Sequence, residues 1–304
     1  MKKKVLITGG SGTVGSAFIE KYYDDYTFFN ISRNETNIAN LSRRFPKVTS
    51  FLGDITDGSR LINIFEEVKP DLVIHAAALK HINLAETNPT VAVEVNVMGS
   101  LNVIIASIRA EVPVTIGVST DKACDPGSVY GYSKSMMEQM FYEHHNYKTK
   151  FVCTRFANVA ASNGSVIPFW KELAAAGEPL RLTHPDMNRL MFSKQEAAEL
   201  INNAYENAKI KEDSFILSNI MKSVNLLELA KVISDKDVVD VGLRPGEKLN
   251  EILVSSKELS YTIVEGNLIF IYKDRQPEDK NLKQPHSSLT AEKMNKQELL
   301  ELIK

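Results

Sequence analysis

The run Val5-Leu6-Ile7-Thr8-Gly9-Gly10-Ser11-Gly12-Thr13-Val14-Gly15 decides the fold. Its three consecutive apolar residues are strand-sized and show no polar alternation, as in a parallel strand covered on both faces. The glycines follow at once, and Ala17, Phe18 and Tyr22 come next at helical spacing. A glycine pattern alone is weak, but between a strand and an amphipathic helix it acquires a mechanism. Gly9 permits a tight turn, Gly12 lets the backbone approach a pyrophosphate, and Gly15 allows helix and strand to pack closely. Ser11, Thr13 and Val14 complete the turn, where the helix start offers amide hydrogens and partial positive charge to phosphates.

Outward from this turn the same rhythm repeats. Phe28 to Ile31, Val48 to Leu52, Leu72 to Ile74, Val114 to Val118 and Phe151 to Cys153 are short apolar runs. Segments such as Leu61 to Val68 and Val91 to Ala110, with apolar residues at three- and four-residue steps, lie between them. Alternating strands and helices predict an α/β chain with a doubly wound parallel sheet, a Rossmann fold. After Arg155 the rhythm loosens around Pro168, Pro179 and Pro185, and Leu226 to Ile233 reads as a short helix. The expected organisation is a dinucleotide-binding domain over 1–155 and a smaller substrate-binding lobe over 156–272, some of whose segments return to the sheet. The polar stretch Lys273 to Ser288 reads as an extended or mobile arm and Lys296 to Ile303 as a closing helix, within a tail over 273–304.

Composition excludes several classes. Among 304 residues, 36 Lys plus Arg face 38 Asp plus Glu, so no basic footprint for nucleic acid or an anionic membrane surface is present. Two cysteines, Cys124 and Cys153, cannot make a disulfide framework and fit a reducing compartment. No stretch reads as the ~20 apolar residues needed to cross a bilayer. Lys2 to Lys4 are followed by too short an apolar run for a secretory signal. A cytoplasmic protein is expected, without a membrane or nucleic-acid partner. His144-His145 has no carboxylate or cysteine at ligand spacing, so no metal site is expected.

The second strand ends Ser32-Arg33, where an NAD site usually carries an acid. A guanidinium suits the 2′-phosphate of NADP, so NADP is the expected cofactor. Asp54, after the next strand, is placed either to accept from the adenine amino group or to cap the helix near Asp57. At the end of the strand Val114 to Val118 stands Ser119-Thr120-Asp121-Lys122, followed by Tyr130-Gly131-Tyr132-Ser133-Lys134. Tyr130 and Lys134 are four apart and share a helix face, so the ammonium is expected to favour a phenolate able to take a hydroxyl proton. Tyr132 falls on another face, for packing or substrate contact. Asp121 and Lys122 are an acid and an amine placed to act next to a transient ketone.

These residues resemble the extended short-chain dehydrogenase/reductases. More closely, they are similar to the UDP-N-acetylglucosamine 4,6-dehydratases of the capsule and flagellin-sugar type. The shared runs include His75-Ala76-Ala77-Ala78-Leu79-Lys80-His81, Ser119 to Ala123, Arg155 to Val159, Gly164 to Pro168, His184 to Met187 and Gly242 to Lys248. The resemblance implies that Tyr130, supported by Lys134 and Thr120, deprotonates the sugar 4-hydroxyl as hydride leaves C4 for NADP+. Lys122 then takes the C5 proton, Asp121 helps expel the C6 hydroxyl as water, and the hydride returns to C6 from a tightly bound, recycled NADPH. It also implies cofactor contacts from Ile55, Ala76, Ala77 and Lys80. Substrate contacts are expected from Lys80, Thr120 and Asn158 near the sugar, and from Ser165, Val166, Pro168 and Thr183 near the nucleotide. Arg189 and Arg244 fall to the pyrophosphate, and Glu247 to the uridine ribose. Asn163 stands where many relatives carry arginine, and Ala157 where they carry glycine. Tyr130, where retaining members often carry methionine, and the ending Ser287 to Ile303 favour inversion at C5. Related enzymes pair subunits through the helix bearing Met136, Met137, Met140 and Phe141, which implies a homo-oligomer. Two other readings compete: a nucleotide-sugar 4-epimerase, which has no need of Asp121 and Lys122, and a cofactor-sensing binding protein, which has no need of Tyr130 and Lys134.

Overall fold

In a computed structural model, which describes residues 2–145, 147–162, 164–277 and 282–303, the apolar runs become the central strands of a nine-stranded sheet. They are β1 (Lys4–Thr8), β2 (Thr27–Ser32), β3 (Thr49–Leu52), β4 (Leu72–His75), β5 (Val114–Thr120) and β6 (Lys150–Phe156). Their order, β3-β2-β1-β4-β5-β6, is parallel throughout and reverses direction of progression at β1, which is where doubly wound sheets bind ligands. Three later strands extend the β6 edge. Ile216–Asn219 lies parallel to β6, and Leu268–Ile271 and Thr262–Glu265 add an antiparallel hairpin.

The near-continuous apolar runs are explained by two covered faces. In β1, Val5 and Ile7 pack with Phe18 of α1 (Thr13–Lys21) and with Ala197, Leu200 and Ile201 of the helix Lys194–Ala208. Leu6 points the other way, into a core with Leu61 and Phe65 of α2 (Gly58–Val68) and Val103 of the helix Gly99–Arg109. Leu61 and Phe65 are fully buried, each stabilising the fold by on the order of 2 kcal/mol. Asp57 caps α2 by accepting from the Arg60 amide, and Lys69 ends it in the left-handed region at φ 48°.

The segment after Arg155 builds a second core around Trp170, Leu182, Met187, Leu226 and Leu229. The helix Leu226–Ile233 matches its sequence expectation, and Leu299 of the final helix Lys296–Leu302 packs into this core. The arm corrects the expectation at its far end. His286–Ser287, both buried, pairs antiparallel with Ile252–Val254, which satisfies backbone groups that burial removes from water. Part of that arm (278–281) and Asn163 lie outside the described residues.

Two further expectations change. Pro89–Arg109 is continuous helix of 21 residues with mean hydropathy 1.7, long and apolar enough to cross a membrane by length and composition. Glu94, Asn96 and Arg109 interrupt its apolar run. Half of its apolar stretch is buried within the protein, and Asn96, Ser100 and Ser107 are buried polar residues on it. The methionine stripe of the helix Val129–Glu143 also divides. Met137 and Phe141 are core residues, whereas Met136 and Tyr132 are exposed, since only one side of that helix faces the sheet.

Candidate active site

The glycine turn forms the floor of a groove of about 440 Å³. Gly9 has φ +76°, and a Cβ there would lie 2.8 Å from the Ala77 amide nitrogen. The turn thus presses against the end of β4 with no room for a side chain. Gly12 is the N-cap of α1 and supplies no side-chain hydrogen bond to its first turn. Gly9, Ser11, Gly12, Thr13, Val14, Gly15, Ser32, Arg33, Asp54, Ile55, Ala76, Ala77 and Lys80 all line this groove. Tyr130 and Lys134, also expected at the cofactor, line the adjoining cavity instead. Ser11 donates to Ser32 at 2.9 Å, and Ser32 to Asn30. Asp54 does not cap a helix; it accepts from Thr56 and pairs with Arg33 at 3.6 Å. A groove floored by the glycine turn and rimmed at the end of β2 by a guanidinium suits the phosphates of a dinucleotide.

Beyond Lys80 the groove continues into a cavity of about 360 Å³ lined by Thr120, Lys122, Tyr130, Lys134 and Asn158. The end of β5 places Thr120, and the helix Val129–Glu143 places Tyr130 and Lys134. Ser128 caps that helix through the Gly131 amide. Gly131 is required by close approach, because a Cβ there would lie 2.5 Å from the Lys122 carbonyl oxygen. Asp121 is fully buried and sits behind Thr120 and Lys122 rather than in the cavity lining. Its Oδ1 accepts from Thr120 Oγ1 at 3.0 Å and from Lys122 Nζ at 2.9 Å, while Oδ2 has no hydrogen-bond partner.

The electrostatics correct one expectation. Burial pushes the Tyr130 phenol up, and the groups that pull it back are the Lys122 ammonium and the Thr120 hydroxyl, not Lys134. Lys134 shares the helix face, but its Nζ donates to Met137 Sδ at 2.9 Å. Burial lowers Lys134 to about 8. Burial also works to lower Lys122, but Asp121 and Glu251 outweigh it and hold the ammonium up. Tyr132 is 61% exposed and contributes to neither packing nor the cavity.

A third cavity, of about 540 Å³, opens from the second through Asn158, Arg244 and Glu247. Ser165, Val166, Pro168, Thr183 and Arg189 line it, as expected, together with Trp170 and Arg181, which sequence reading did not single out. Arg189 Nη1 donates to the carbonyls of Asn188 and Leu249, and the Glu247 carboxylate accepts from the Arg244 amide. Glu251 was also missed. It lies four residues beyond Glu247, and no spacing pattern points from it to Lys122. Among the described residues no cluster of three or more His, Cys, Asp or Glu is arranged to hold a metal ion.

The chain matches the polysaccharide biosynthesis protein family over residues 5–273. It belongs to that family. One relative is a UDP-N-acetylglucosamine 4,6-dehydratase (inverting) of Campylobacter jejuni, 35% identical over 272 residues, 86% of this chain and 80% of the relative. Another, an uncharacterized membrane protein of Methanocaldococcus jannaschii, is 36% identical over 323 residues, 99% of this chain and 95% of that one. Among solved structures, Pen from Bacillus thuringiensis superposes with a TM-score of 0.91 at 28% identity, covering 99% of this chain and 97% of that one. In this chain the Rossmann fold of extended short-chain dehydrogenase/reductases carries the glycine turn, the helix with Tyr130 and Lys134, and three joined cavities.

Proposed function

We propose that the protein converts UDP-N-acetylglucosamine into a UDP-2-acetamido-2,6-dideoxy-hexos-4-ulose, with inversion at C5. The observation that carries this reading is Lys122, held against Asp121 and facing the same cavity as Tyr130. Oxidation at C4 alone needs no such pair. The groove from Gly9 to Lys80 would hold NADP, with Arg33 at the 2′-phosphate and Lys134 beside Tyr130. When bound, the dinucleotide supplies acceptance and later return of one hydride. Tyr130 takes the proton of the 4-hydroxyl, its phenolate stabilised by Lys122 and the Thr120 hydroxyl. The resulting ketone acidifies C5, and Lys122, once its ammonium has released a proton to solvent, removes the C5 proton as the free amine. The C6–O bond breaks, the hydroxyl leaves as water with the proton that Lys122 took from C5, relayed within the Asp121–Lys122 pair, and Tyr130 reprotonates C5 with the proton it took from the 4-hydroxyl. Ser165 to Pro168, Thr183, Arg189, Arg244 and Glu247 surround the nucleotide end of the substrate.

Unpaired Cys124 and Cys153 fit the cytoplasm, where we place the reaction. We further propose a homo-oligomer joined through the packed helices Gly99–Arg109 and Val129–Glu143, whose exposed faces carry Ile105, Tyr132 and Met136.

Proton NMR of the protein with UDP-N-acetylglucosamine and NADP+ in D2O tests the reading. A new C6 methyl signal, with deuterium at C5, is the expected result. Lys122→Ala abolishes that signal in a dehydratase, whereas a 4-epimerase would yield a galacto product without a methyl and would tolerate the substitution. A methyl-free product in the wild type would overturn the assignment.

A further inference from the structure

Lys122 presents a chemical problem that Asp121 alone does not resolve. An amine that removes a carbon-bound proton has to aim its lone pair, and a lysine chain has four rotatable carbons with which to lose that aim. Asp121 meets Nζ from one side at 2.9 Å. On another side, 3.6 Å from Nζ, lies Oε1 of Glu251, whose side chain is only 4% exposed. A carboxylate so deeply buried is expensive unless it is paired, and the ion pair given to Glu251 in this structure is the one with Lys122. Glu251 is held independently of the lysine. Its amide donates to Ser288 Oγ at 3.0 Å, and its carbonyl accepts from the Ser288 amide at 2.9 Å. Ser288 is in turn fixed by Ser223, which donates to its carbonyl. The returning C-terminal arm therefore fixes the backbone that carries Glu251.

We propose that Glu251 is a positioning residue that anchors Lys122 Nζ opposite Asp121, so that the C-terminal arm sets both the aim and the titration of this amine. The role of Lys122 as a base rests on the dehydratase reading; the anchoring itself does not. The charged groups facing Lys122 are Asp121 and Glu251, which stabilise the ammonium, and Arg189, which opposes it. Glu251 in turn faces Lys122, Asp121, Arg189 and Lys248. Neutralising Glu251 removes one of two negative neighbours, so the ammonium of Lys122 becomes easier to deprotonate.

Two measurements on Glu251→Gln test this. The first needs no substrate: acetylation of Lys122 by acetic anhydride is followed against pH by mass spectrometry in the intact protein. The titration is expected to move to lower pH by on the order of one unit in the variant, and Glu251→Asp to restore part of it. The second is turnover: in the variant the rising limb of C6-methyl formation moves to lower pH in step with the labelling. Its plateau kcat falls about 10-fold while KM stays within about twofold, since a misaimed base costs transition-state contact rather than binding. An unchanged labelling profile overturns the proposal whether or not UDP-N-acetylglucosamine is the substrate. So does a parallel loss of kcat, KM and thermal stability with no shift of either profile, which would make Glu251 merely structural. A shifted labelling profile in the variant, with no methyl product from the wild type, upholds the anchoring and overturns the dehydratase reading alone.

Discussion

At the scale of single residues, Arg33 shows how much a position can mean before its neighbours are known. Its place at the end of β2 was legible, because the length of β1, turn, α1 and β2 puts that residue beside the adenosine of any dinucleotide on this fold. Its partner was not legible. Asp54 comes from the end of β3, and sheet pairing brings the two side chains to 3.6 Å. The pair is largely exposed and adds little stability, but it holds the guanidinium over the groove. Replacing Arg33 with Ala is expected to weaken NADP binding by roughly 10- to 100-fold, as loss of a charge-assisted phosphate contact would. NAD binding should change little. Equilibrium binding of both dinucleotides by fluorescence checks this, and equal losses for the two would remove the case for NADP. Tyr130 and Lys134 teach the opposite lesson. Their spacing was readable, yet the direction of the Lys134 ammonium, toward Met137 Sδ, depends on rotamers that spacing does not specify.

At the scale of elements, one buried network fixes the helix that bears Tyr130 and Lys134. Arg155 of β6 donates from Nε and Nη2 to both carboxylate oxygens of Glu138 on the helix Val129–Glu143. It also donates to Glu258 at 2.9 Å and to the carbonyl of Leu253. Cys124, just past Lys122, donates to Glu258. One guanidinium thus ties the helix bearing Tyr130, the strand after Glu251 and, through Glu258 and Cys124, the loop bearing Lys122 into one unit. Substituting Arg155 with Met leaves Glu138 buried and unpaired, at an expected cost of about 3–5 kcal/mol, read as a lower midpoint in urea unfolding. The same network fixes an acid limit. Burial alone would raise Glu258, but Arg155 outweighs it and holds the carboxyl at about 2. A carboxyl depressed on folding contributes stability that is complete above its ordinary range near 4.5. That stability is lost as pH falls toward about 2. Urea midpoints measured down through that window should fall more steeply in the wild type than in Glu258→Gln.

For the whole molecule, the question is how two cores make one cleft. The sheet core positions the dinucleotide groove and Tyr130, while the lobe core around Trp170 positions the third cavity. The tail joins them: His286–Ser287 pairs beside Glu251, and Leu299 fills the lobe core. Ending the chain at residue 284 is therefore expected to loosen the lobe while sparing the sheet. Dinucleotide binding should persist and UDP binding should weaken about 10-fold or more, measured by calorimetry. Equal loss of both would show that the sheet core also depends on the tail.

The sequence by itself determined the six parallel strands, the glycine turn and many of the residues that line the three cavities, because strands and helices are written in local periodicity and because the turn's chemistry is contiguous. Only the tertiary structure decided what those side chains do to one another. The pairing of Arg33 with Asp54, the withdrawal of Asp121 behind Lys122, the burial of Met137 and Phe141 and the approach of Glu251 all join residues that periodicity places independently. Their electrostatics depend on distance and burial, which exist only once the chain has closed on itself.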